Sequence, residues 1–165
     1  MAFFQTLNSN INLVTEMILN NVDLCKLIGY DNNDPLSNPP IPITRDLLMD
    51  RVFPLPKDPA AIVDKKSIIN AYFYMSEPYH VNSGFRKIEL RFDIMSHIDL
   101  WMIDGGIRTY SMSNYIDEMF NNVIIAQLSG KAVYFKGWKA VKYSEFYYGY
   151  HLVYELSDNS NVGCL

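Results

Sequence analysis

All eight prolines of the chain fall within residues 35–78, and seven of them precede the first clear strand. Each removes a backbone donor and fixes φ, so residues 30–66 form neither a long helix nor a central strand. A structureless connection longer than about 12–15 residues is uncommon inside a compact domain and is usually functional. This segment is also too apolar for a solvated linker. Ile41, Ile43, Leu47, Val52, Phe53 and Leu55 lie along it. Ordering every residue costs backbone entropy, and these widely spaced side chains return little of it if they lie on their own chain. The expectation is an arm that packs on a second chain through those six residues. The alternative is a long loop packed on its own domain. Within the arm, residues 44–52 suit one helical turn or a short edge strand.

The flanking segments carry clear periods. In residues 9–29, Ile11, Val14, Ile18, Val22, Cys25 and Ile28 recur at three- and four-residue steps, the stripe of an amphipathic helix. Asn8, Ser9 or Asn10 suits its start, Asn20-Asn21 suits a break, and Gly29 suits a left-handed stop. Residues 67–76 are β-like, residues 79–85 read as a turn, and residues 87–97 alternate. Ile88, Leu90, Phe92 and Ile94 share one face there, with Glu89, Arg91, Asp93 and Met95 on the other. A loop with Gly105-Gly106 leads to a second helix over 111–128, capped by Ser111 or Ser113. Residues 131–143 and 146–156 then form a hairpin. The order is helix, arm, strand, strand, helix, strand, strand. This is an α+β fold: a mostly antiparallel sheet with flanking helices, in one domain over 1–156, ending in a polar tail over 157–165.

Composition removes several classes. Of 165 residues, 49% are hydrophobic and 14% aromatic, enough for a core, and the net charge is −4. An acidic chain has no general attraction to phosphate, which argues against a strongly basic nucleic-acid binder. Two cysteines, Cys25 and Cys164, do not make a disulfide scaffold. No basic start with a long apolar run suggests export, and no run approaches a membrane span.

Chemistry is scarcely legible. His80, His97 and His151 lie on separate elements without metal-ligand spacing, so no metal or cofactor is expected. A carboxylate–imidazole cluster of Asp93 and His97, with Asp99 and Asp104 following, is the best site for the alternative of a small cytoplasmic enzyme. Glu77 and His80 flank Pro78 in a turn. Asp104-Gly105-Gly106 lacks the Gly-Lys-Ser/Thr of a phosphate loop. In residues 131–143, Lys131, Lys136, Lys139 and Lys142 interleave with Tyr134, Phe135, Trp138 and Tyr143. That pattern suits a solvated strand that lysines protect from aggregation, a protein–protein surface, or single-stranded nucleic acid with Lys136, Trp138 and Lys139 as contacts. Six of the twelve tyrosines lie at 134, 143, 147, 148, 150 and 154, so Tyr147 and His151 are further candidates for a subunit interface.

Several short words carry a resemblance. They are Leu24-Cys-Lys-Leu-Ile-Gly-Tyr30 running into Asp34-Pro35, then Arg51-Val-Phe-Pro54 and Phe92-Asp-Ile-Met-Ser-His97. Gly106-Ile-Arg108 before a helix with Ile116, and Tyr148-Gly-Tyr-His-Leu-Val-Tyr-Glu155, complete the set. In element order over about residues 10–156, the chain resembles the tail-terminator and neck-ring proteins of tailed bacteriophages. The resemblance implies a non-enzymatic virion subunit, assembled in the host cytoplasm into a sixfold or twelvefold ring at the head–tail junction. It also implies contacts with neighbouring neck, portal-side or tail proteins, no membrane, and DNA passing through the channel without sequence-specific binding. The family brings no catalytic residues.

Overall fold

A computed structural model describes residues 3–58, 62, 64–79, 82–125, 128 and 132–158. Helix α1 spans Phe3–Asn20 and α2 spans Val22–Gly29. They break at Asn21, whose side chain accepts the Leu24 N–H at 2.9 Å and so caps α2. The break falls at the asparagine pair, as expected. The start does not: α1 begins at Phe3, so Asn8, Ser9 and Asn10 are helix-interior. Ser9 donates to the Gln5 carbonyl one turn back, and the buried Asn10 amide reaches the Leu128 carbonyl. Gly29 is the last residue of α2, and the chain leaves through an extended Tyr30 rather than a left-handed turn.

The strands are β1 (Val52–Phe53), β2 (Ser67–Tyr79), β3 (Asn82–His97), β4 (Met102–Ile103), β5 (Gly106–Ile107), β6 (Tyr134–Lys142) and β7 (Tyr147–Asp158). The main sheet runs β1-β2-β3-β7-β6, antiparallel except that β1 joins β2 in parallel, and β4-β5 form a separate small hairpin. This is the α+β architecture expected from the sequence. The first hairpin is longer than the alternation suggests, since β2 is described to Tyr79 and β3 from Asn82. β7 runs two residues past Leu156, into the segment read as tail, and residues 159–165 lie outside the described part.

Helix α3 spans Arg108–Phe120, shifted toward the N-terminus of the expected 111–128. Asn121 leaves the helix extended, Asn122 is left-handed at φ 59°, and Ile124 pairs with Ala132 instead of continuing the helix. Ser111 and Ser113 do not cap α3. Their hydroxyls bond the Ile107 and Thr109 carbonyls four residues back.

All three helices cover one face of the sheet. Val14, Ile18, Leu24 and Ile28 from α1 and α2, and Met112, Ile116 and Phe120 from α3, meet Ile69, Phe92, Ile94, Leu152 and Tyr154 in the main core. Strands β3 and β7 approach closely at Gly149: a Cβ there would stand 1.8 Å from the Ile94 carbonyl oxygen. No helix is long and apolar enough to cross a membrane among the described residues.

The arm departs most from expectation. It is not structureless, and much of it lies on its own chain. Thr44–Leu47 makes a 3-10 turn, and β1 then adds to the sheet edge, so residues 44–52 contain the helical turn that their sequence suggested and reach the edge strand. Leu47 and Val52 enter the main core. Phe53 crosses to the other face and packs with Ile68, Met95 and Tyr147 in a second, smaller core. The arm is pinned by Arg51, which donates to the Ile28 carbonyl at 2.7 Å and bridges both Asp31 carboxylate oxygens at 2.7 and 2.8 Å. A cation at the α2 C-terminus also meets the negative end of the helix dipole. Buried Arg108 does the same from the other side. It donates to the Leu27 and Tyr30 carbonyls at 2.7 Å, to Leu100 at 2.8 Å and to Asn32. Backbone pairing and these two arginines supply what the entropy argument left out. Leu47, Val52 and Phe53 are therefore core residues of their own chain, not subunit contacts as expected. Ile41 is half-buried against the core, while Ile43 and Leu55 are 60% and 42% exposed.

Candidate functional site

The face of the sheet away from the helices carries an ordered polar cluster. Register places Asp93 of β3 beside His151 of β7 and Asn70 of β2. The His151 Nδ1 lies 2.6 Å from Asp93 Oδ1, and the Tyr143 hydroxyl donates to the same oxygen at 3.2 Å. Tyr72 also faces Asp93. Burial first, and the Asp93 charge second, raise both phenols above the usual tyrosine range. Asp93 and His151 are 8% and 9% exposed. One carboxylate thus collects donors from three segments and fixes the register of the sheet. An imidazole–carboxylate pair suits general base chemistry, but the phenols here are held protonated and, among the described residues, no serine or cysteine is a partner of the pair.

The enzyme alternative draws Asp93, His97, Asp99 and Asp104 together, and of these the structure joins His97 to Asp99, with His97 Nδ1 3.7 Å from the Asp99 carboxylate, while Asp93 is bonded to His151 instead. His97 Nδ1 accepts the Asp99 N–H at 3.2 Å, and its ring stacks on Phe146. Asp99 is paired with Lys65, and Asp104 is exposed in the β4–β5 turn. Its backbone N–H donates to the Asn33 carbonyl. His80 lies outside the described residues, and of Glu77 only the backbone, in β2, is described. Among the described residues no group of three His, Cys, Asp or Glu could hold a metal.

Tyr147 and His151, expected at an interface, are buried. The Tyr147 hydroxyl donates to the Asp64 carbonyl at 2.6 Å, and His151 is held by Asp93. Alternation told which face they share but not that the arm roofs one end of it.

The open surface is the other sheet edge. Strand β6 is exposed at Tyr134, Phe135, Lys136, Trp138, Lys139, Ala140 and Lys142. A bulge between Phe135 and Gly137, where Gly137 adopts φ 154°, resets its alternation. Phe135 and Trp138 therefore both fall on the helix side, and Lys136 and Lys139 on the other. Lys136 reaches Glu155 at 3.1 Å, and Lys87 reaches the same carboxylate at 2.8 Å. Burial works to raise the Glu155 pKa, but the two lysines outweigh it and hold it below its usual range. Of the expected nucleic-acid contacts, Lys136 is thus engaged, while Trp138 and Lys139 are exposed on opposite faces. Lys131 lies outside the described residues.

On the helix side, β6, β7 and α3 enclose an open groove of about 330 Å³. Tyr110 of α3 stacks on Tyr150 at 4.7 Å, and Trp138 meets Tyr150 edge-on at 5.3 Å. Phe135 packs on Tyr154, whose hydroxyl donates to Asp117. Sequence reading found the tyrosines of β7 but missed Tyr110 and Asp117. Their seven-residue separation on α3, facing an alternating aromatic strand, was the available signal.

The model of the family described as YomW matches residues 21–156. The match takes in the arm, the whole sheet but for the end of β7, α2 and α3. Among curated proteins there is no match.

Proposed function

The chain belongs to the YomW family, which is phage-derived, and on that footing we propose that it is a virion structural subunit. In this reading it forms a closed ring of the tail-terminator or neck kind, whose channel passes DNA. The observation that carries the proposal is the contrast between the two sheet edges. At one, β1 is two residues long and held by its own arm. At the other, β6 is nine residues long and exposed on nearly every residue. A long open edge is an aggregation hazard unless it is blunted or used. Lysines blunt it here, and three exposed rings, Tyr134, Phe135 and Trp138, give it something to bind with. Unlike edges favour a heterologous contact, and a repeated heterologous contact closes into a ring when its rotation allows. The acidic net charge of −4 suits a conduit that does not grip phosphate.

Electron microscopy of negatively stained, purified chain at high concentration, alone and with the neck and tail proteins of the same phage, tests this. Closed rings of uniform size are expected. Isolated single subunits in every mixture would overturn the proposal.

A further inference from the structure

The helix side of the β6 edge sets one carboxylate among aromatic rings, with no cation to meet it. We propose that the groove between α3 and β6–β7 is a binding site for the guanidinium group of an arginine presented by a partner protein, an inference that does not depend on the ring.

The chemistry of the groove is one-sided. Asp117 is the charged residue of its lining, beside Tyr110, Phe135, Trp138, Tyr150 and Tyr154. Burial first, and the bond with Tyr110 second, push the Tyr150 phenol up to about 12, while burial and then the hydrogen bond to Asp117 raise Tyr154, so both phenols stay neutral. Ser113 and Asn114 spend their donors within α3, on the Thr109 carbonyl and the Glu118 carboxylate, and what they leave is oxygen. The lysines of β6 stay out. Lys136 and Lys139 lie on the opposite face, and the Lys142 ammonium sits 5.4 Å from the centre of the Tyr148 ring.

Asp117 has acceptor capacity to spare. Its two oxygens take one neutral donor each, the Tyr154 hydroxyl at 2.9 Å and the Asn121 amide at 3.2 Å, out of about four lone-pair sites on a carboxylate. Among the described residues it enters no ion pair. A half-buried carboxylate so placed has given up hydration without gaining an opposite charge.

The rings select guanidinium. Tyr110 is stacked on Tyr150 yet 51% exposed, and Trp138, edge-on to Tyr150, is 56% exposed. Tyr150 steadies both, so they present fixed walls. A guanidinium is planar and weakly hydrated, and it lies flat on such a ring while its forked N–H donors reach a carboxylate. An ammonium holds its water more strongly. The other face of the same sheet already contains this arrangement: Arg91 lies 3.3 Å from the centre of the Tyr74 ring while donating to Glu89 at 2.7 Å. No described arginine side chain of the chain itself is offered to the groove. Arg51 and Arg108 are committed to the end of α2, Arg91 to Glu89 and Tyr74, and Arg45 shares a cleft with Glu16 between α1 and the arm. The missing cation therefore comes from another protein.

The test is isothermal titration calorimetry of the dilute 165-residue chain with a blocked pentapeptide carrying one arginine among glycines, its citrulline and lysine counterparts, and methylguanidinium. Saturable binding of the arginine peptide is expected, weaker with lysine and about tenfold weaker with the neutral citrulline. Asp117→Asn and Trp138→Ala, each checked for a urea midpoint close to wild type, are each expected to weaken it about tenfold. Lys139→Ala, on the opposite face, leaves it unchanged. If Asp117→Asn does not fold, Trp138→Ala decides alone. No binding, or binding indifferent to these substitutions or to citrulline, overturns the site and leaves the ring reading as it was. Methylguanidinium bound as tightly as the peptide overturns the partner in favour of a free small cation. Binding that emerges only in Arg45→Ala overturns it in favour of a second copy. A chain that never forms rings yet binds the peptide in the expected pattern keeps the site and loses the ring.

Discussion

Phe53 decides whether the arm belongs to its own subunit. Its ring is 5% exposed, packed with Ile68, Met95 and Tyr147, with the Lys57 ammonium 5.6 Å from the ring centre. Truncating a buried phenylalanine to alanine costs about 3–5 kcal/mol, because transfer energy is lost and a cavity remains. The cluster around Phe53 is small and sits at a sheet edge where the arm can partly collapse, so Phe53→Ala belongs at the lower end, about 3 kcal/mol. With a urea slope of roughly 2 kcal/mol per molar, the midpoint falls by about 1.5 M. Ile43→Ala, at a position 60% exposed, is the control and stays within about 0.5 kcal/mol. The assay is urea unfolding of dilute chain, followed by far-UV circular dichroism. If Phe53→Ala leaves the midpoint unchanged and instead weakens self-association, the arm leaves its own subunit and the intramolecular account is wrong.

Three further outcomes follow from the geometry. Arg108→Met removes four charge-assisted bonds to carbonyls. At roughly 1.5–3 kcal/mol each before relaxation, the chain should lose on the order of 3–5 kcal/mol, with hydrogen exchange accelerated first at the end of α2. A change under about 1 kcal/mol would show that the cluster is dispensable. Gly149→Ala places a methyl group 1.8 Å from the Ile94 carbonyl oxygen, a backbone atom that cannot rotate away. The variant should fall at or beyond the upper end of the ~1–3 kcal/mol cost of overpacking, and a wild-type melting temperature would contradict the close approach of β3 and β7. Glu155 has a native pKa below its ordinary 4.5, so the unfolded chain takes up its proton first as pH falls. Its contribution is present above 4.5 and lost as pH drops through the lower native value. The stability gap between wild type and Glu155→Gln should therefore shrink from pH 7 to pH 3, and a gap that stays flat or widens would refute the lysine pairing.

The strong local periods were legible in the sequence. The stripe from Val14 to Ile28, the alternation from Ile88 to Ile94 and the two hairpins around α3 all correspond to observed elements. What could not be read depended on contacts remote in sequence. Arg51 reaches Asp31 and Arg108 reaches Leu27, pairs that no local pattern marks, and an entropy argument that omits them puts the arm on a second chain. The polar cluster was misassigned for the same reason. Asp93 shares a strand face with His97, so spacing favoured that pair, but β7 lies between β3 and β6 and its register brings His151 to Asp93 instead. The aromatic edge was half legible. The lysine–aromatic alternation of β6 was visible, but the bulge at Gly137 that sorts Phe135 and Trp138 to one face and Lys136 and Lys139 to the other was not, and neither was Tyr110 on the opposing helix.

The most direct measurement is the native mass of the purified 165-residue chain, taken by native mass spectrometry over a concentration series. A ring subunit gives one dominant species at a fixed sixfold or twelvefold multiple of 19.1 kDa, built up at the expense of monomer as concentration rises. A single species of 19.1 kDa at every concentration, unchanged when the neighbouring virion proteins are added, would contradict it.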